Sequence, residues 1–341
     1  AVGYYALDAN TTGENNNAFG RGALVTNTTS NNNNAFGDYA LQANTTGTES
    51  SAFGHRTLYS TTTGGYNGAF GAYALYANTT GAANNAFGAY ALNSATTASN
   101  NTAMGSEALR NCTTGGYNNA FGANAMDAAV TGSYNNAFGQ NCLGALTTGD
   151  RNTAMGQDAL ANNTTGAKNT AIGNSALVNN NASQCTAVGN EALSAHTTGS
   201  NCTAVGYQTM DANTTGGHNT AVGVNAMGSN TTGSNNVAVG TYVMDIGSGF
   251  NYNVAMGHDT ARQITTGSNN VCLGHAAGHS SSPSGEITTS SNNFVLGNNS
   301  ISNLYCADTS ISSSDARDKT DVTDFTHGLS WIKELRPVTY R

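Results

Sequence analysis

The chain has 341 residues, a formal net charge of −8, 9% charged residues, 42 glycines and 2 prolines. Basic residues are too sparse for a nucleic-acid groove or an anionic membrane surface, Lys168 being the only lysine before Lys319. No apolar run is long enough to cross a bilayer, so membrane insertion is not expected either.

The chain opens at Ala1-Val2-Gly3, already inside a repeat that then runs through most of its length. One copy is CTAVGYQTMDANTTGGH over residues 202–218. A phase glycine recurs every 17 residues from Gly3 through Gly20 and Gly37 to Gly173. One residue is lost before Gly189, the spacing resumes to Gly274, and six residues are inserted before Gly297. A fixed period of this kind signals stacked units, none of which buries its apolar face alone. Asn, Thr and Gly disfavour helix, and no stretch before residue 325 carries helical periodicity, so the repeats are read as β and turn. The opening inside a copy, with no signal peptide before it, is read as a fragment whose N-terminal attachment region is missing.

Each copy carries two apolar pairs. Alanine followed by a large residue (Phe19, Phe36, Phe70, Phe87, Met104, later Val205 and Val239) precedes the phase glycine. A small residue followed by Leu or Met (Leu24, Leu41, Leu75, Leu92, Met126, Met244) comes after it. Neighbouring strand residues face opposite ways, so Ala and Phe or Val cannot enter one core. The reading is a thin solenoid with a narrow core of its own and a second apolar stripe buried against identical chains. The phase glycine is expected to bend the chain between two short strands, and N-T-T-G to form the outer turn, its glycine at positive φ. In-phase Asn and Thr would stack into hydrogen-bonded ladders, though the most exposed Asn also suit plain solvated loop.

Five residues before the phase glycine the residue type varies freely: Glu49, Tyr66, Ala83, Tyr117, Tyr134, Arg151, Lys168 and Tyr252. This reads as a surface tip. Tyr66, Tyr117, Tyr134 and Tyr252 are candidate receptor contacts there, since tyrosine offers contact area at low entropic cost. A merely tolerant turn tip is the alternative reading.

The six cysteines (Cys112, Cys142, Cys185, Cys202, Cys272 and Cys306) lack metal-ligand spacing. Cys185 and Cys202 share a phase and would stack within disulfide range, but parallel side chains fit the bond poorly, and free, half-buried thiols are expected. His258 and His275 share a mostly polar phase, with His279 following, and are expected in solvent. Neither metal nor cofactor is expected.

The N-T-A-V-G and N-T-T-G blocks resemble the parallel β-roll heads of trimeric autotransporter adhesins, and also the shafts of phage tail fibres, over residues 1–297. After a connector at 298–313 come Ser314-Asp315-Ala316-Arg317-Asp318-Lys319, Gly328-Leu329 and Leu335-Arg336-Pro337-Val338-Thr339-Tyr340. This block, 314–341, resembles the opening of the endosialidase-type intramolecular chaperone, and stops short of the complete domain. The resemblance implies trimerisation, assistance to folding of the upstream β-structure, and one self-cleavage between Ser313 and Ser314. Ser314 would be the nucleophile and Lys319 a base if burial lowered its pKa; the same residues also suit a charged helix start capped by Ser314.

The expected fold is therefore all-β: a homotrimeric parallel β-solenoid of 17-residue repeats with a short α-containing C-terminal segment. The expected role is a tail fibre in the virion, outside the cell, that reaches a host-surface glycan or protein and joins other tail proteins through the missing N-terminal region. A cellular trimeric surface adhesin or extracellular filament is the alternative. A glycan-cleaving spike would need paired carboxylates in a groove, and the sparse acids Asp8, Glu14, Asp38, Glu49 and Glu107 show no such pairing.

Overall fold

The computed structural model describes residues 1–129 and 131–303; Cys306, Ser314, Lys319 and the segment 314–341 lie outside the described residues. Ala1–Ser300 form one compact unit. Its regular structure is a single sheet of 17 three-residue strands, from β1 (Asn17–Phe19) to β17 (Phe294–Leu296). Each strand pairs in parallel with the strand of the next copy, as in Ala35↔Ala52 and Ala52↔Ala69. Stacked phenylalanine rings in successive copies lie 4.7–4.8 Å apart. One copy is thus one turn at ordinary interstrand spacing, and the sheet extends over about 80 Å.

Within each strand the middle residue, alanine in all but the last two, points inward and its neighbours outward, so Ala35 is fully buried while Phe36 is not. The sequence reading expected a second strand after the phase glycine, and the structure replaces it with a coiled turn. Tyr39 and Leu41 both take left-handed backbone conformations, with φ of 60° and 51°. A strand would send Ala40 and Leu41 to opposite faces; alternating left-handed residues turn both into the core, where each is fully buried. Left-handed L-residues cost about 1–2 kcal/mol each. Bonds to both neighbouring turns offset that cost: Tyr39 N–H donates to the Arg21 carbonyl at 2.8 Å and Leu41 N–H to that of Thr57 at 3.0 Å.

The glycine expectation also needs correction. The N-T-T-G glycines, Gly47 and Gly64 among them, are not left-handed, and alanine takes their place at Ala98 and Ala182. The phase glycine carries the demanding backbone instead. Gly105 has φ +143°, and a Cβ there would approach the Gly122 carbonyl oxygen to 2.4 Å. Close stacking of one turn on the next is why this position stays glycine from Gly3 to Gly297.

The core contains two alanine columns, a Leu/Met column and, unexpectedly, two columns of buried asparagine. In the first, Asn101, Asn118, Asn135 and Asn152 are all fully buried. Asn135 N–H donates to Asn118 Oδ1 at 3.0 Å, and Asn118 Nδ2 donates to the Gly132 carbonyl at 2.8 Å. The second column comprises the asparagines that open the N-T-T-G blocks, such as Asn213 and Asn230. Threonine hydroxyls add an outer ladder, with Thr62 Oγ1 donating to the Thr79 carbonyl at 3.2 Å and Thr79 Oγ1 to that of Thr96 at 2.9 Å. The expected ladders are present, and the main one lies in the core rather than in solvated loop.

Asn118→Ala should therefore destabilise the chain by about 2–5 kcal/mol, because it strips hydrogen bonds from the Asn135 amide and the Gly132 carbonyl inside the core. Hydrogen exchange at the Asn135 amide checks this locally, and unchanged protection there would mean that the ladder contributes little.

Candidate functional site

The outward side chain at the end of each strand forms a stripe. It runs from Phe19 through Phe36, Phe53, Phe70 and Phe87, continues past Met104 and Val205, and ends at Leu296. Phe70 and Phe87 are 36% and 38% exposed, and their rings are stacked within 4° of parallel. At about 60–100 Å² of exposed area per large side chain, such a stripe reaches roughly 1,000 Å². The largest apolar patch on a typical monomer is about 300–600 Å². The stripe also doubles in width toward residue 297. The other outward strand position, polar in Asn17, Asn34 and Thr102, becomes Val237, Val254, Val271 and Phe294.

The tip tyrosines are exposed, as expected: Tyr66 by 61%, Tyr117 by 53%, Tyr134 by 51% and Tyr252 by 64%. Tyr117 and Tyr134 stack with centroids 5.0 Å apart, and the Arg151 guanidinium lies 5.8 Å from the Tyr134 ring. Tyr66 and Tyr252 stand apart from this pair, three and seven turns away, or about 14 and 34 Å at the strand spacing. A tighter aromatic surface, missed by the sequence reading, gathers Tyr39, Tyr59, Tyr73, Tyr76 and Tyr90. Tyr73 and Tyr90 stack at 5.2 Å, Tyr59 and Tyr76 at 5.1 Å, and Arg21 lies 4.8 Å over Tyr39. Its signal was a tyrosine recurring two residues after the phase glycine, visible at Tyr39, Tyr73 and Tyr90. Tyr39 and Arg21 also line a surface hollow with Tyr4, Tyr5, Val25 and Gln42, and no carboxylate lines it.

The cysteines among the described residues are free thiols. They are fully buried, not half-buried as expected, because their positions fall on core columns. Burial pushes Cys112 and Cys272 up to about 11 and Cys142 up to about 12. Cys185 and Cys202 do stack, and His196, which the sequence reading passed over, lies against them. Hydrogen bonding from the Cys202 thiol, and then from His196, lowers Cys185, while Cys202 is raised by sharing its proton with Cys185 and by burial. His258 and His275 face solvent as expected, their rings 5.5 Å apart, with Asp259 at 3.1 Å from His258.

Ser314 and Lys319 lie outside the described residues, so their proposed roles rest on the sequence. Residues 314–341 match the chaperone of endosialidase family, over the same block that carried the resemblance. No curated protein matches the chain.

Proposed function

We propose that this chain is the shaft of a phage tail fibre that assembles as a homotrimer and presents its outer surface to a host-cell glycan or protein. The observation that carries this reading is the apolar stripe, at least partly exposed from Phe19 to Leu296 and widest over the last four strands. Three copies packed stripe to stripe would remove that surface from water, at about 25 cal/mol per Å². The chaperone would set the register of the three chains, and Ser314 would then cut the peptide bond before it, with Lys319 as base.

The tyrosine surfaces support attachment. Stacked rings flanked by guanidinium groups offer flat apolar faces to sugars without any carboxylate pair for cleaving them. Tyr66, Tyr117, Tyr134 and Tyr252 supply further contacts at the turn tips.

The test begins with sedimentation of the purified chain, where a mass of three times 34.6 kDa is expected. The trimer is then applied to an array of bacterial surface glycans. Combined Tyr39→Ala, Tyr73→Ala and Tyr90→Ala substitutions should lower binding at least tenfold, as should the pair Tyr117→Ala and Tyr134→Ala if the tips contribute. A monomeric chain would overturn the assembly; unchanged binding in both variants would remove the tyrosines from the attachment surface.

A further inference from the structure

Within the two columns that asparagine mostly fills, three neighbouring positions carry metal-ligating side chains instead. Cys185 and Cys202 occupy the column held by Asn152 and Asn169 on one side and Asn219 and Asn236 on the other. His196 occupies the second column, between Asn180 and Asn213. The changes cluster where the repeat is shortened, Gly173 to Gly189 spanning 16 residues in place of 17. His196 is the one fully buried histidine among the described residues.

The geometry brings these side chains to a common point. Both sulfurs and a ring nitrogen of His196 lie within 4.8 Å of one another. Cys185 Sγ is 3.7 Å from His196 Nε2. Two ligands on a tetrahedral zinc, with bonds of about 2.3 Å to sulfur and about 2.0–2.1 Å to nitrogen, stand roughly 3.6 Å apart. The Gly199 carbonyl oxygen contacts His196 Nε2 and lies 3.3 Å from Cys185 Sγ, offering an oxygen at the same point. As thiols, Cys185 and Cys202 donate to the Gly199 and Gly216 carbonyls at 3.3 Å each, and these are the protons an ion would displace.

We propose that Cys185, His196 and Cys202, with the Gly199 carbonyl as fourth donor, form a structural site for one Zn²⁺ ion inside the solenoid. On loading, the two thiols give up their protons to solvent, and imidazole stays neutral, its proton moving from Nε2 to Nδ1. Two thiolates then balance the ion's charge, so the buried site is neutral overall. Asn213 Nδ2 donates to His196 Nδ1 at 3.2 Å. Its amide must turn to present Oδ1 to the new Nδ1–H, which makes Asn213 a positioning residue for the ligand. The ion would tie the turns of Cys185 and Cys202 together where the repeat loses a residue, in place of the amide ladder that serves elsewhere.

The neighbouring turns supply the control, because asparagine at these positions is what the fold uses elsewhere. The full chain is purified under reducing conditions and its metal content measured; it is then refolded from denaturant with Co²⁺, whose thiolate charge-transfer bands report sulfur ligation. One zinc per chain, sulfur-to-cobalt bands, and a melting temperature lowered by chelation are expected. The double variant Cys185→Asn/Cys202→Asn should fold, hold less than a tenth of the metal, and melt at a temperature that chelator leaves unchanged. His196→Asn should weaken cobalt binding at least tenfold. A wild-type chain that takes up neither ion on refolding overturns the proposal, as does equal metal in the double variant. Binding of Cu⁺ alone would overturn the zinc assignment. A Cys185–Cys202 disulfide, seen as a loss of two hydrogens by mass spectrometry of the native chain, would overturn the site.

Discussion

Phe70→Asp combined with Phe87→Asp is expected to abolish the trimer while leaving each chain's solenoid folded. In the single chain both side chains are more than a third exposed, so carboxylates there would sit in water. In a trimer packed on the stripe, the same groups would be enclosed in a dry interface, two per chain and six around the axis. Burying an uncompensated charge costs several kcal/mol at least, and stacking at the present ring spacing of 4.8 Å adds repulsion between like charges. Those terms exceed what two phenylalanines contribute to assembly, about 1.5–3 kcal/mol each. Sedimentation should shift from trimer to monomer with the β-sheet circular dichroism retained. An intact trimer would mean that the stripe faces away from the interface.

Ser314→Ala, in a chain carrying the complete chaperone domain, should yield an uncut product that still trimerises. The wild-type chain should be cut between Ser313 and Ser314, because the family match places Ser314 on the amino-terminal edge of the domain and its hydroxyl can reach the preceding carbonyl through a compact ring. Loss of the hydroxyl removes the nucleophile, so cleavage should fall by orders of magnitude rather than by a small factor. Lys319→Ala and Lys319→Arg should both slow it, since guanidinium stays protonated and cannot serve as the base. Mass spectrometry of the product decides the point: a released piece beginning Ser-Asp-Ala-Arg supports it, and an uncut wild-type chain with the whole domain present sinks it.

The two surfaces differ in how far they could be read without coordinates. The phenylalanine stripe was legible because Phe36, Phe53 and Phe70 share a phase and sit next to alanines that must face the other way. The tip tyrosines were legible as exposed for a related reason, since Glu49, Ala83, Arg151 and Lys168 interchange with them. The patch of Tyr39, Tyr59, Tyr73, Tyr76 and Tyr90 was not, because it joins two different phases that only the coiled turn brings side by side. Nor was the cluster of Cys185, His196 and Cys202, whose members are 11 and 6 residues apart in sequence and belong to different columns. Standard metal-ligand spacings come from single loops and helices, and a solenoid assembles its neighbours across turns.

Sequence alone was enough to determine the period, the parallel in-register stacking, the strand spacing and the exposed face of Phe70. Each follows from the 17-residue recurrence of a few residue types and from the alternation of side chains along a strand. The path of the chain between strands was decided only by tertiary structure. Leu41 and Tyr39 are ordinary L-residues with no intrinsic preference for left-handed backbone, and the amide bonds to the turns on either side hold them there. That coil is what turns Ala40 and Leu41 into one core, and Asn118 enters the same core just after the left-handed tip residue Tyr117. An asparagine side chain that looks solvated in the sequence is buried because the following turn supplies the hydrogen bonds that water would have made, the Gly132 carbonyl and the Asn135 amide.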